Sequence, residues 1–291
     1  MVASPEAEMA GMGGTPVGGE QVEAVAETAE AGAASPAAEA TSVRPAGTPA
    51  DQATVDRMTA LYESAYACIN GGDYLGFAAL FTPEGLAEEF GTANPYDLPA
   101  IILPAIIAGF GVVPEFRLIS VDTVLVLSDG RYYAEATYRF GNALAREGAY
   151  YTEQNGELLA AAGTVELPVE VPADAQAVDG ELVDFGFNLS ETSLSTGAPI
   201  AFNVTNNGQY PHELAVVQLP AGATIEQIPD DPALQQQLRF VGAIFAEPGQ
   251  QAPPLVLFDL EPGTYSVVCF VDMPDGVPHV MRGMVAEFTA Q

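Results

Sequence analysis

The chain has 291 residues, a hydrophobic fraction of 48 % and a formal net charge of −31, and this length allows two domains with cores of their own. All eight basic residues are arginines, so the surface repels phosphate, which disfavours binding to nucleic acid or to an anionic membrane. No run of 18 apolar residues occurs, so no membrane span is predicted. The two cysteines, Cys68 and Cys269, are too few for a disulfide framework.

Residues 1–50 are rich in Ala, Gly, Pro, Glu, Ser and Thr and contain no aromatic residue. Such a segment cannot bury enough apolar surface to offset the entropy lost on ordering, so a disordered, self-repelling tether is predicted. The start, Met1-Val-Ala-Ser-Pro-Glu, has neither a charged nor an apolar region of a signal peptide, so no export signal is visible. Because the tether is typical of exported domains, we expect an extracytoplasmic protein that is secreted, periplasmic or surface-tethered.

Residues 51–167 are predicted to form an α+β domain. Apolar residues recur with helical spacing from Val55 to Ile69, and an Asn-Gly-Gly-Asp sequence then ends the helix. Next we expect a short helix at 74–80, a turn at 82–85 and an apolar helix at 99–110. Four strands are then expected at 116–127, 131–138, 149–153 and 157–167. Asp129-Gly130 and Asn155-Gly156 are hairpin turn signals between these strands.

Two sequence segments in this region resemble a known fold. Tyr66-Ala-Cys-Ile-Asn-Gly-Gly-Asp73-Tyr74, followed by Ala78-Ala-Leu-Phe-Thr-Pro-Glu-Gly85, resembles the ketosteroid-isomerase-like cone fold of the nuclear transport factor two superfamily. The resemblance implies a helical hairpin followed by a curved sheet around a pocket. An isomerase-like site would need a carboxylate base and a tyrosine or protonated acid as oxyanion donor. Residues of these types are Tyr62, Tyr66, Asp73, Asp122 and Tyr138, and ordinary core packing or helix capping explains them as well.

Residues 168–178 are predicted to be a linker, and residues 179–291 an all-β sandwich. Several short apolar strands with turn signals between them are typical of that architecture. The expected strands are 182–189, 199–205, 213–218, 255–260, 264–269 and 283–288. Between them lies an insertion, 220–251, with one helix expected over 232–238.

The C-terminal stretch Cys269-Phe-Val-Asp-Met-Pro-Asp-Gly-Val-Pro-His279-Val-Met-Arg-Gly-Met284 brings a thiol, an imidazole and a thioether into one loop. A trigonal copper site uses a thiolate, two imidazoles and a weak axial thioether. The second imidazole must come from elsewhere, and the chain contains one other histidine, His212, in Asn206-Asn207-Gly208-Gln209-Tyr210-Pro211-His212. The predicted ligands are therefore His212, Cys269, His279 and Met284, although Met281 and Met273 are also available for the axial position.

These segments resemble the cupredoxins, or type 1 blue copper domains. The resemblance implies a Greek-key β-sandwich over residues 179–291 that binds one copper ion. It favours Met284 as the axial ligand, because His279 and Met284 have the His-x4-Met spacing of copper nitrite reductases and related cupredoxins. Asn206 or Asn207 is expected to hydrogen-bond across to the Cys269 loop and fix the ligand geometry. We expect Cys269 and Met284 to be deep, and His279, which lies in a loop, to be near the surface.

Both histidines are used by this site, so none remains for the oxygen- or nitrite-binding copper of an oxidase or reductase. The sequence therefore predicts a two-domain electron-transfer or copper-binding protein rather than an enzyme. A redox protein, expected to be basic because this chain is acidic, would be its partner, and the oligomeric state is left open. The alternatives are a metal-free cupredoxin-like binding module and a small-molecule enzyme or binder that acts through residues 51–167.

Overall fold

Short helices and many β-strands make up the described residues. The computed structural model describes residues 44–100, 114–220, 222–227, 231–235 and 237–291, which lie within one compact unit, Ser42–Gln291. The helices are α1 (Gln52–Asn70), α2 (Tyr74–Ala78), α3 (Pro83–Phe90) and α4 (Pro232–Gln235). None of the helices in these ranges is both long enough and apolar enough to cross a membrane.

The strands follow the expected order along the chain. They are β1 (Gly47–Pro49), β2 (Phe116–Leu127), β3 (Tyr132–Phe140), β4 (Ala143–Gln154), β5 (Glu157–Ala160), β6 (Val165–Glu166), β7 (Gln176–Val183), β8 (Gly186–Leu189), β9 (Ser193–Leu194), β10 (Ile200–Asn206), β11 (His212–Gln218), β12 (Arg239–Ala246), β13 (Leu255–Leu257), β14 (Gly263–Val268) and β15 (Val285–Ala290).

The strands form two sheets. The larger has the order β1-β2-β3-β4-β13-β10-β7-β8, with β5 and β6 also paired to β4, and the smaller has the order β12-β11-β14-β15-β9. The larger sheet joins the N-terminal meander to one layer of the C-terminal sandwich, and Ala143 of β4 pairs with Leu257 of β13 at the junction. The structure is thus mostly β-sheet, with a small helical part.

The sandwich core explains the alternation seen in the sequence. Tyr265, Val267 and Cys269 lie on one face of β14 and its extension, and all three are buried in the cluster between the two sheets. Met284, directly before β15, and Phe288, within it, belong to the same cluster. Because side chains alternate between the two faces of a strand, this arrangement confirms the predicted inward direction of Cys269 and Met284.

Helix caps set the boundaries of the N-terminal helices. The side chains of Asp51 and Asp73 accept hydrogen bonds from the backbone N–H of Thr54 and Gly76 and cap α1 and α2. The turn predicted at residues 82–85 is wrong, because these residues begin α3. Thr82 caps α3 and Pro83 occupies its first turn, a combination that starts a helix as readily as it makes a turn.

Several strand predictions also need correction. Strand β12 lies inside the predicted insertion, where it pairs with β11. Strand β7 begins at Gln176, within the expected linker, because it pairs in parallel with β10. The expected strand over 157–167 is divided into β5 and β6, with Gly163 at a φ of 111° between them. Most of the helix predicted over 99–110 lies outside the described residues. The cone-fold resemblance stays a prediction.

The end of the tether also needs correction. Residues 47–49 form β1, which pairs with β2, so this part of the segment predicted to be disordered up to residue 50 is ordered. The Arg44 guanidinium donates to the carboxylate of Glu135, with Nε 2.6 Å from Oε1, and Arg146 reaches the other oxygen at 2.8 Å. Although burial alone would raise it, the pKa of Glu135 is held below its usual value by these two arginines.

Arg44→Met should therefore lower the free energy of unfolding by about 1–2 kcal/mol at pH 7, since Glu135 is 2 % exposed and would lose one of two charged donors. The contribution is present above the ordinary glutamate pKa and is lost as pH falls through the lowered pKa of Glu135. Urea unfolding at several pH values measures this contribution to the free energy of unfolding. Arg57→Met, which breaks the exposed pair with Glu153, is the control and should change stability by less than about 0.5 kcal/mol. Equal effects of both substitutions would contradict the prediction.

Candidate metal centre

Strand pairing brings the three strongest candidate ligands to one end of the sandwich. His212 is the first residue of β11, and Cys269 directly follows β14. These strands are antiparallel neighbours, with Ala215 opposite Val268, so the start of β11 lies beside the end of β14. His279 begins a 3-10 turn, His279–Arg282. The backbone N–H of His279 donates to the carbonyl of Val271, which holds the turn at the same end of the sandwich.

The three ligand atoms form a compact triangle. The Nδ1 atoms of His212 and His279 are 3.1 Å apart, and the sulfur of Cys269 lies 3.3 Å from Nδ1 of His279 and 4.0 Å from Nδ1 of His212. Two ligands that each lie about 2.0–2.3 Å from one ion are separated by about 3–4 Å, so the triangle fits a single metal ion. All three side chains are fully buried. Their chemistry and arrangement match the ligand pattern of a type 1 copper site.

Asp184 holds the ring of His212. Its Oδ1 lies 3.1 Å from Nε2 of His212 and accepts a hydrogen bond from the N–H of Gln209 at 2.9 Å. Burial works against the charge, but these donors keep the pKa of Asp184 below its usual value. A carboxylate on Nε2 leaves Nδ1, which faces the triangle, free to bind a metal. The sequence analysis missed Asp184, because nothing in its local pattern indicates that it lies beside a residue 28 positions away.

Asn206 orders the loop before His212. Its amide donates to the carbonyl groups of Tyr210 and Ala246, both at 2.8 Å, and its Oδ1 accepts from the N–H of Gly208 at 2.8 Å. The hydrogen bond predicted from Asn206 to the Cys269 loop is therefore wrong: this side chain orders its own loop and ties it to Ala246. Gly208 is needed there, since an added Cβ would lie 2.6 Å from Nε2 of His212.

Glu213 supports Cys269, a role that the sequence analysis also missed. Its backbone N–H points at the Cys269 sulfur from 3.3 Å, and its carboxylate accepts from the N–H of Phe270 at 3.1 Å. Burial raises the pKa of the Cys269 thiol, and the N–H of Glu213 opposes this. Burial also lowers the pKa of His279, assisted by the neighbouring His212. The lowered pKa favours the neutral imidazole of His279, the form that binds metals.

The three methionines differ in their position relative to the triangle. Met284 is fully buried in the same core cluster as Cys269. The sulfur of Met273 lies 3.0 Å from Nε2 of His279, which is the nitrogen on the other side of the ring from the triangle. Met281 is 54 % exposed. Met284 thus shares the buried core around Cys269, and its place as the axial ligand stays a prediction.

The expected position of His279 near the surface is wrong. The ring is fully buried, because Phe185 and Tyr210 pack against it with centroid distances of 5.2 and 6.1 Å. Its neighbours in the chain are nevertheless exposed. Large hydrophobic side chains at the surface beside the ligands form an apolar rim: Tyr210, Phe270, Val277 and Met281.

The sandwich and its His–Cys–His cluster support the cupredoxin domain predicted from the sequence. No protein-family model and no curated protein matches this chain.

Solved structures show weak similarity. The reduced auracyanin of the photosynthetic bacterium Roseiflexus castenholzii is 15 % identical, with a TM-score of 0.30, over 41 % of this chain and 99 % of that one. Auracyanin A, a "blue" copper protein of Chloroflexus aurantiacus, is 17 % identical, with a TM-score of 0.28, over 40 % and 99 %. A multicopper oxidase of Pseudomonas thermotolerans is 14 % identical, with a TM-score of 0.26, over 62 % and 52 %. Similarity at this level does not by itself identify a function.

Proposed function

We propose that this protein binds one copper ion at His212, Cys269 and His279, with Met284 as a weak axial ligand, and transfers single electrons. The buried triangle of one thiol sulfur and two imidazole nitrogens carries the proposal. Copper bound by such a set would supply one-electron redox chemistry. The chain's own part is to hold the ligands in place through Asp184 and Glu213 and to keep water away from them.

The electron route is proposed to cross the apolar rim. His279 is buried, but its neighbours Val277 and Met281 are exposed, and an exposed apolar patch marks a contact surface. A small patch suits the short-lived contacts of redox proteins. The net charge of −31 would attract a basic partner, and this attraction would weaken as the salt concentration rises. We also propose that the protein acts outside the cytoplasm, because the composition of residues 1–50 is typical of the tether of an exported domain.

Electron transfer can be tested by stopped-flow reduction of the copper-loaded protein with a basic cytochrome. We expect the second-order rate to fall several-fold between low and physiological salt. Met281→Glu should slow the reaction by placing a charge in the rim, and Glu63→Gln, on the exposed face of α1, should leave it unchanged. If the rate changes neither with salt nor with Met281→Glu, the electron route lies elsewhere.

Met284→Leu should keep the visible colour of the copper protein and shift its reduction potential, because the axial bond is weak but tunes the potential. A redox titration followed by absorbance measures the shift. Met281→Leu is the control and should leave the potential unchanged, since this side chain is exposed. A larger shift with Met273→Leu than with Met284→Leu would assign the axial position to Met273.

A further inference from the structure

A cavity of about 470 Å³ lies away from the metal centre, between the N-terminal helices, strands β3 and β4, and strands β12 and β13. Much of its wall is aromatic. Tyr66, Phe116 and Tyr138 pack on one another there, with centroid distances of 5.4, 5.5 and 6.2 Å. Its volume is in the range of small-molecule sites, which are mostly apolar with a few polar groups.

Three carboxylates face this apolar space: Glu89 from α3, Glu147 from β4 and Glu166 from β6. Glu147 and Glu166 are directly opposite each other in the pairing of β4 with β6. Like charges in that position repel each other. No basic side chain lines the cavity among the described residues, and the undescribed sequence 101–113 contains no charged residue.

Another glutamate of the same sheet, in contrast, has basic partners. Glu135, on β3, is buried with two arginines at its carboxylate, Arg44 and Arg146. Buried charges are ordinarily paired in this way. Glu89 and Glu166 are exposed, so solvent stabilises their charges. Glu147 is half-buried and stands out, because no basic side chain of the described residues lines the cavity beside it, whereas Glu135 one strand away has two arginines.

A second polar group lies in the wall beside Glu147. Tyr62 is 4 % exposed and lines the cavity, and its hydroxyl makes no hydrogen bond of ordinary geometry with the described residues, although it is near enough to the Glu147 carboxylate to lower the pKa of that group. This hydroxyl lies close to Glu147, so a ligand that reaches the carboxylate would also reach Tyr62.

We propose that the cavity binds a hydrophobic ammonium ion, an alkyl- or arylamine whose charged head lies at Glu147 among the rings of Tyr62, Tyr66 and Tyr138. The carboxylate would neutralise the ammonium, the rings would attract it through their faces, and its N–H group would donate to the Tyr62 hydroxyl. The remaining aromatic wall would take the apolar part. A neutral ligand would leave the charge of Glu147 uncompensated, and an anion would be repelled by it.

The test compares N,N-dimethylbenzylammonium with isobutylbenzene, a neutral molecule of the same shape, on the full-length copper-free protein at pH 8. Calorimetry gives the affinity of the amine, and thermal shifts compare the two ligands. We expect the amine to bind at least about tenfold more tightly, as a desolvated cation–π and charge contact provides. Equal affinities, tighter binding of phenylacetate, or no binding of the amine at millimolar concentration would each overturn the proposal.

Variants locate the charge. Glu147→Gln should weaken the amine at least about tenfold and leave isobutylbenzene unchanged, while Glu63→Gln on the outer face of α1 should change neither. Tyr62→Phe should weaken the dimethylamine several-fold but not benzyltrimethylammonium, which has no N–H to donate. If Glu147→Gln does not fold, the comparison of amine and isobutylbenzene on the natural chain still decides the question.

The affinity for the amine should also fall between pH 8 and pH 6, because Glu147 takes up a proton in this range. The ionisable groups that face Glu147 come from several elements: Tyr62 and Tyr66 (α1), Glu89 (α3), Tyr138 (β3), Tyr151 (β4) and Glu166 (β6). Burial raises the pKa of the four tyrosines, so they stay neutral throughout. An amine affinity that does not change with pH would overturn the assignment of the charge to Glu147.

Discussion

Cys269→Ser should abolish the intense visible absorption that one equivalent of Cu(II) is expected to produce. The colour of a type 1 centre depends on the bond between thiolate sulfur and copper, and a serine oxygen cannot replace it. Cys269 is fully buried and lies 3.3 Å from the nearest imidazole nitrogen, whereas the other cysteine, Cys68, lies on α1 outside the ligand cluster. Absorbance and spin-resonance titrations with Cu(II) would measure the effect.

Cys68→Ser is the matched control, because it removes the other cysteine of the chain, which is partly exposed at the end of α1. This variant should titrate with copper like the natural protein. A colourless natural protein, or equal colour loss in both variants, would contradict the assignment of Cys269.

The same substitution should remove most of the stabilisation by copper. A ligand that binds only the folded state raises the free energy of unfolding by about 4 kcal/mol when its free concentration is a thousand times its dissociation constant. The melting temperature of the natural protein should therefore rise clearly with buffered copper, and that of Cys269→Ser should not. An equal rise in both would show that copper binds elsewhere, for example at the acidic surface.

The sequence predicts those parts of the site that depend on residue type and order. Only two histidines exist, and both fall in segments that resemble cupredoxin ligand segments, so residue type and order alone select His212, Cys269 and His279. The two-residue alternation also predicts the inward direction of Cys269, because that periodicity follows from the backbone of any strand.

The predictions that failed depend on contacts between distant segments. Asp184 meets His212 only after β7 and β11 have been placed, and the depth of His279 depends on Phe185 and Tyr210 packing over it. The ordered segment at Arg44 is explained by a buried acid 91 residues away, Glu135. Composition alone cannot show such long-range pairing.

The cavity illustrates the same limit. Tyr62, Tyr66 and Tyr138 are candidates by residue type, but Glu147 is not, because a glutamate in a half-exposed strand has no unusual sequence pattern. Its environment becomes unusual only when α1, α3 and β6 surround it with tyrosines and two further carboxylates.

Glu147→Gln should stabilise the ligand-free protein at pH 8 and have little effect near pH 4.5. Burial raises the pKa of Glu147 from 4.5 to about 7, against a smaller opposing effect of the Tyr62 and Tyr138 hydroxyls. The folded state therefore binds a proton more tightly than the unfolded state. As pH rises from about 4.5 to 7, ionisation of this side chain progressively lowers the free energy of unfolding, and above 7 the loss is constant.

Each unit of pKa difference corresponds to about 1.4 kcal/mol, and Glu147 is only partly buried, so the variant should gain about 1–3 kcal/mol at pH 8. Urea unfolding of both proteins between pH 4.5 and 8 measures the difference, in which all other ionisable groups cancel. Glu63→Gln, whose side chain is exposed on α1, should give a difference that does not change with pH. If the Glu147→Gln difference is equally flat, the carboxylate titrates normally. The cavity would then be more hydrated than its apolar wall implies.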